Sequence, residues 1–83
     1  VETLYHILDS RAEALEFVIR EESEVTGIPL MNLNLKNNLL IGCINRGGNI
    51  KIARGQDCIQ QGDTVIVLTS QKGLRDIRDI LRK

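Results

Sequence analysis

The sequence predicts an α+β domain: a small, mainly antiparallel β-sheet packed with a C-terminal helix, with a short helix after the first strand. Three observations lead there. In ALEFVIREE, Leu15, Phe17 and Ile19 alternate with Glu16 and Arg20, the period of two that a half-buried strand requires. In LLIGCINRGGNIKIA, two apolar runs flank Arg46-Gly47-Gly48, and such a short glycine-containing loop closes a hairpin through positive φ. In the closing SQKGLRDIRDILRK, Leu74, Ile77 and Leu81 share one side with Ile80 beside them, while Arg75, Asp76, Arg78 and Asp79 lie outside; this is helical spacing.

The elements follow in chain order. Val1, Leu4, Tyr5 and Leu8 recur at i, i+3, i+4, i+7, which predicts a helix over residues 1–13 entering from an upstream domain. The opening Val1, in place of Met, fits a piece of a longer protein. The domain proper then runs over 14–83, with its first strand at ALEFVI. Gly27 and Pro29 punctuate the next phrase; proline suits a first helical position, where its missing N–H costs nothing, so one helical turn is expected over 29–33. The two hairpin strands come next. Gly62-Asp63 then turns the chain into Val65, Ile66, Val67 and Leu68, an unbroken apolar run that suits a strand covered on both faces. Ser70 is the candidate N-cap of the closing helix, and Arg82 and Lys83 suit the negative end of its dipole.

The bulk properties narrow the function. With 83 residues the chain can build one modest core, and domains of this size bury too little surface to be very stable alone, so a partner surface is expected. Lys plus Arg and Asp plus Glu both number 11; without a basic footprint or aromatic stacking platform, nucleic acid is not an expected partner. Cys43 and Cys58 lack a CxxC neighbour, which argues against a disulfide framework or zinc site and for a reducing, cytoplasmic compartment. No apolar run reaches the roughly 18 residues of a membrane span, and no signal peptide opens the chain. Direct membrane insertion is therefore not expected.

Catalysis finds no footing. His6 stands alone, there is no GxSxG, and the carboxylate pairs Glu21-Glu22 and Asp76 with Asp79 read as solvated faces. No catalytic or metal-ligating residue is assigned. The glycines of RGGN lead into NIKI, which is strand-like, whereas a phosphate loop leads into a helix N-terminus; the hairpin reading is preferred. Around that hairpin, Asn45, Arg46, Asn49, Lys51 and Arg54 make a candidate anion-binding patch. The competing reading is an ordinary charged edge that discourages aggregation, and both stay open. The apolar strand after Gly62-Asp63 offers more surface than one helix covers, so a second copy is expected as its cover, with Ile41, Cys43, Val65 and Val67 at the homodimer interface.

The ordered phrases ALEFVI, SEVTGIPLMNLNL and LLIGCINRGGNIKIARGQDCIQQGDTVIVLTS, followed by a short closing helix, resemble the TrkA-C (RCK-C) domain over residues 14 to 82. The most telling pieces are Gly27-Ile28-Pro29-Leu30, Arg46-Gly47-Gly48 and Gly62-Asp63 before Val65 to Leu68. The resemblance implies a cytoplasmic regulatory domain of a potassium-uptake system that follows a nucleotide-binding domain. It also implies a dimer that associates peripherally with a membrane potassium transporter and couples a ligand or dimer geometry to ion transport. It gives this domain no cofactor of its own but a nucleotide or metal ion as effector class. Many relatives carry proline where this chain has Ala53-Arg54, a departure in the phrase after the hairpin. The alternatives are a ligand-free dimerisation or docking domain, or the same module attached to another transporter or a transcription regulator.

Overall fold

A computed structural model describes residues 1–82. The chain folds as one five-stranded antiparallel sheet: β1 (Thr3–Ile7), β2 (Ala12–Val18), β3 (Leu39–Arg46), β4 (Asn49–Ile52) and β5 (Thr64–Thr69). Their spatial order is β1-β2-β5-β3-β4. Two 3-10 turns, Leu30–Asn32 and Ile77–Ile80, are the helical elements among the described residues. The architecture is therefore almost wholly antiparallel β-sheet, and the expected α+β class with its C-terminal helix is overturned.

The core lies on one face of the sheet. Leu15 and Phe17 of β2, Ile41 and Ile44 of β3, and Val65 and Val67 of β5 point into it. Loops supply the covering layer through Ile19, Val25, Leu30, Ile59, Leu74, Ile77 and Ile80, all in the same buried cluster. These loops are fastened by backbone hydrogen bonds, which a buried chain segment requires. Ile19 and Gly62–Asp63 exchange bonds of 2.8 Å, Gly27 N–H reaches Ile59 O at 2.8 Å, and Lys36 N–H reaches Ile80 O at 2.9 Å.

The expected opening helix is a strand. Thr3 to Ile7 pair with Glu16 to Ala12 in antiparallel register. A helix this short is marginal in water, whereas pairing with β2 satisfies one edge of its backbone. The turn between the strands is built by Leu8, Asp9 and Ser10, all left-handed at φ +53°, +57° and +65°, and no glycine advertises it.

The closing segment also departs from a helix. Gly73 sits at φ +85°, which breaks a right-handed helix at its start. The chain stays non-helical until Asp76, whose side chain accepts from Arg78 N–H while Asp79 reaches back to the Asp76 N–H at 3.0 Å. This capping box opens the 3-10 turn, and the three-residue repeat of that turn stacks Ile77 over Ile80. Of the two basic residues expected at the helix end, Arg82 donates to Asn37 Oδ1 at 2.6 Å; Lys83 lies outside the described residues.

The two structures of this segment differ in the sign of a simple substitution. In a helix, Gly73→Ala would stabilise by about 1 kcal/mol. Here a Cβ would meet nothing within 4 Å, but the backbone at φ +85° disfavours it, so Gly73→Ala is expected to cost about 1 kcal/mol. Urea unfolding of the two proteins reads the sign directly.

A β-bulge at the centre of β3 decides which side chains face the core. Ile41 pairs with Val67 and Cys43 with Ile66, leaving Gly42 as the extra residue. Strict alternation would put Ile41 and Cys43 on one face; the bulge puts Ile41 and Ile44 in the core and turns Cys43 to the opposite face.

Candidate functional site

The five polar residues singled out around the hairpin separate into two groups. Asn45 and Arg46 end β3, and both serve the fold. Asn45 Oδ1 accepts from Gly48 N–H at 3.1 Å and shapes the turn, in which Gly47 and Gly48 adopt φ +59° and +89°. That conformation is readily open to glycine. Arg46 reaches across to the β5 side: its Nε donates to Asp63 Oδ1 and one terminal nitrogen to Asp63 Oδ2, both at 2.9 Å. The same nitrogen donates to Cys58 O at 2.9 Å.

Asp63 is 1% exposed, and it also accepts from Gln60 N–H at 2.8 Å. The Arg46 guanidinium holds its carboxyl below the usual carboxylate range, against the opposing effect of burial and with help from Gln60 N–H. The bidentate fork fixes both side chains in one plane. Arg46 is thus committed to a structural anchor.

Lys51 and Arg54 form the second group. Register places Lys51 opposite Ile44 on the edge strand β4, and its Nζ sits 2.9 Å from Asp57 Oδ1. Asp57 Oδ2 in turn accepts from the Arg54 backbone N–H at 2.7 Å. The Lys51 ammonium, followed by the Arg54 N–H, lowers the Asp57 pKa. The Arg54 guanidinium makes no hydrogen bond among the described residues and is exposed. Lys51, Ile52, Arg54, Gln56 and Asp57 line one open hollow, and Asn49 is exposed at the start of β4.

Among the described residues the arrangement offers one guanidinium without a hydrogen bond, one ammonium shared with a carboxylate, and Gln56 in the lining. That suits a polar, anionic group held from one side. Gln56 and Asp57 were not among the sequence-derived candidates; their place in ARGQDC, directly after Arg54, was the available signal.

The four residues expected at a homodimer interface also separate. Ile41, Val65 and Val67 are 4%, 0% and 0% exposed within the chain's own core. Cys43 is half-buried on the other face of the sheet. Exposed apolar surface on that face comes instead from Leu40, Ile50 and Ile52.

Among the described residues no helix is long and apolar enough to cross a membrane, and no three His, Cys, Asp or Glu groups converge as metal ligands.

Comparison with known proteins places this geometry in a family. The chain is 34% identical over 73 residues to a Trk system potassium uptake protein TrkA homolog of Pyrococcus abyssi, covering 87% of this chain and 32% of that protein. It is 35% identical over 75 residues to the Trk system potassium uptake protein TrkA of Haemophilus influenzae, covering 87% of this chain and 16% of that one. The chain thus spans a third or less of the length of these relatives. A solved structure described as "Structure of RCK domain with cda" shares the fold at a TM-score of 0.60 and 22% identity, over 71% of this chain and 81% of that one. The profile of the TrkA-C domain matches residues 14–82, and on that match the chain belongs to the TrkA-C domain family.

Proposed function

We propose that this chain is a cytoplasmic regulatory and dimerisation domain of a Trk-type potassium-uptake system. Residues 14–83 form the regulatory unit, and 1–13, which add the outer strand β1 to its sheet, lead into it from an upstream nucleotide-binding domain. It associates with the membrane peripherally, through a potassium transporter. The observation that carries the reading is the family match over nearly the whole chain, with relatives named for Trk potassium uptake.

The mechanism is a population shift. A ligand that binds one arrangement of two copies more tightly than another biases whatever is attached to them, by no more than the difference between the two affinities. The ligand site is the hairpin region of Asn45, Arg46, Asn49, Lys51 and Arg54, with unequal roles. Lys51 and Arg54 meet the anion, Asn49 borders it, and Asn45 and Arg46 hold the hairpin in shape. Phosphate-bearing nucleotides are the favoured effector class, since a guanidinium without a hydrogen bond next to an ammonium suits phosphate oxygens.

A thermal-shift screen of the domain against ATP, ADP, NAD, cyclic dinucleotides and divalent cations tests this. A ligand at about a hundred times its dissociation constant adds about 2.7 kcal/mol, a rise of several degrees for a domain this small. The rise is expected with a nucleotide and is expected to vanish in Lys51→Ala/Arg54→Ala. A flat screen on a folded dimer would favour the ligand-free docking module.

A further inference from the structure

The hollow beside the hairpin is lined by two cations, Lys51 and Arg54, and one acid, Asp57, with Ile52 and Gln56 between them. Asp57 Oδ1 lies 2.9 Å from Lys51 Nζ, and Oδ2 accepts from the Arg54 N–H at 2.7 Å. The carboxylate therefore fills the place on the ammonium that an incoming anion would take. The Arg54 charge also acts on this carboxyl, behind the Lys51 ammonium and the Arg54 N–H, so the three charged groups share one site. The acid is the fixed member. Its side chain is 13% exposed against 51% for Lys51, and its loop is fastened by backbone: Asp57 N–H donates to Arg54 O at 3.0 Å, while Leu30 N–H reaches Asp57 O and Met31 N–H reaches Gly55 O, both at 2.9 Å. Lys51 comes to the carboxylate from an exposed position on the edge strand β4, on a flexible four-carbon stem.

We propose that Asp57 is a built-in occupant of this hollow, a carboxylate that neutralises Lys51 until an anion of two or more charges displaces it, and that it thereby sets which ligands the hairpin site accepts. The inference rests on the hairpin reading above and gives that site its selectivity. A carboxylate fixed in the same molecule competes at an effective concentration of roughly millimolar or more. A single charge arriving from solution would only exchange one ion pair on Lys51 for another, leaving Arg54 as its one new contact, and exposed ion pairs of this kind are individually weak. The phosphate groups of the nucleotides favoured above differ in kind. Each terminal phosphate carries close to two charges at neutral pH and three acceptor oxygens, enough to engage the Arg54 fork and the Lys51 ammonium together. The displaced carboxylate keeps the Arg54 N–H, so the loop holds its shape while Lys51 swings to the ligand.

Titration of the isotope-labelled 83-residue chain with inorganic pyrophosphate at low, constant ionic strength tests this, read from the backbone amide NMR signals of residues 49–57, with acetate as the monoanion. The wild type is expected to respond to pyrophosphate and not to acetate. Asp57→Asn, whose amide oxygen still accepts from the Arg54 N–H, is expected to bind pyrophosphate roughly fivefold more tightly. That gain is expected to disappear when Lys51→Ala is added, because no ammonium is left to release; the general effect of removing a negative charge would persist there. Should Asp57→Asn loosen the loop, seen in the Arg54 and Gly55 amide signals, Asp57→Ser repeats the test with a hydroxyl acceptor. Pyrophosphate binding that Asp57→Asn leaves unchanged, or strengthens equally with and without Lys51, overturns the built-in occupant and leaves the hairpin site standing. A hollow that stays silent in both the wild type and Asp57→Asn overturns the site itself, and the inference with it.

Discussion

Arg46→Ala is expected to destabilise the domain by about 3 kcal/mol at neutral pH, lowering Tm by more than about 10 °C for a chain of this size. Removing the guanidinium strands the Asp63 carboxylate, which is 1% exposed and keeps only the Gln60 N–H. Arg46 is itself partly exposed, with 42% of its side chain accessible. Asp63→Ala therefore leaves a cation that water can reach, and its cost is the smaller of the two. The inequality between the two variants distinguishes a desolvated carboxylate from a generic loss of packing.

The pH dependence carries the same information with a sign. In the wild type the folded Asp63 pKa is depressed by Arg46. The pair's contribution is therefore present above the unfolded value of about 3.9 and is lost as pH falls through the lower folded value. In Arg46→Ala, burial acts on Asp63 without the cation and pushes its pKa above the ordinary value. That variant gains relative stability as pH drops from neutral toward about 4, while the wild type does not. Denaturant titrations at the two pH values check this; parallel curves for both proteins would show that Asp63 is not held as an isolated carboxylate.

The same ion pair illustrates what the sequence could and could not show. The Arg46-Gly47-Gly48 turn was legible because glycine marks positive φ, and 39–46, 49–52 and 64–69 are strands where apolar runs stand in the sequence. The destination of the Arg46 side chain was not, since its partner lies 17 residues away and only the pairing of β3 with β5 brings Asp63 beside it. Lys51 and Arg54 are close in sequence and meet at one hollow; short-range proximity survives folding more often than a face assignment does. The sequence says least about which face of the sheet a side chain takes. A single inserted residue, Gly42, sends Ile41 and Cys43 to opposite sides, and its one signal in LLIGCIN is the glycine itself, a residue that often marks a bulge inside a strand. The opening hairpin was hidden for a related reason: its left-handed turn is made by Leu8, Asp9 and Ser10, so the usual glycine punctuation was missing and a four-residue apolar coincidence read as a helix.

Ile80→Ala is expected to cost about 3 kcal/mol, within the range for truncating a fully buried isoleucine, and Leu81→Ala appreciably less. A closing α-helix would rank them the other way, because Leu74, Ile77 and Leu81 would share its buried stripe and Ile80 would sit at the flank. In the 3-10 turn the three-residue repeat carries Ile77 and Ile80 into the core, where Ile80 is 0% exposed. Leu81 is only partly buried beside that core and bridges to Leu35. The neighbouring backbone is tied in as well, through Ile80 O to Lys36 N–H and Asn34 O to Arg82 N–H. Relaxation around the truncated site is therefore restricted, which keeps the cavity open and the loss well inside the usual range of about 2–5 kcal/mol. Urea unfolding of the two variants decides between the packings, since a larger loss in Leu81→Ala would restore the helix. If Ile80 dominates, the closing segment acts as a cover pinned to the sheet's inner face by Ile77 and Ile80.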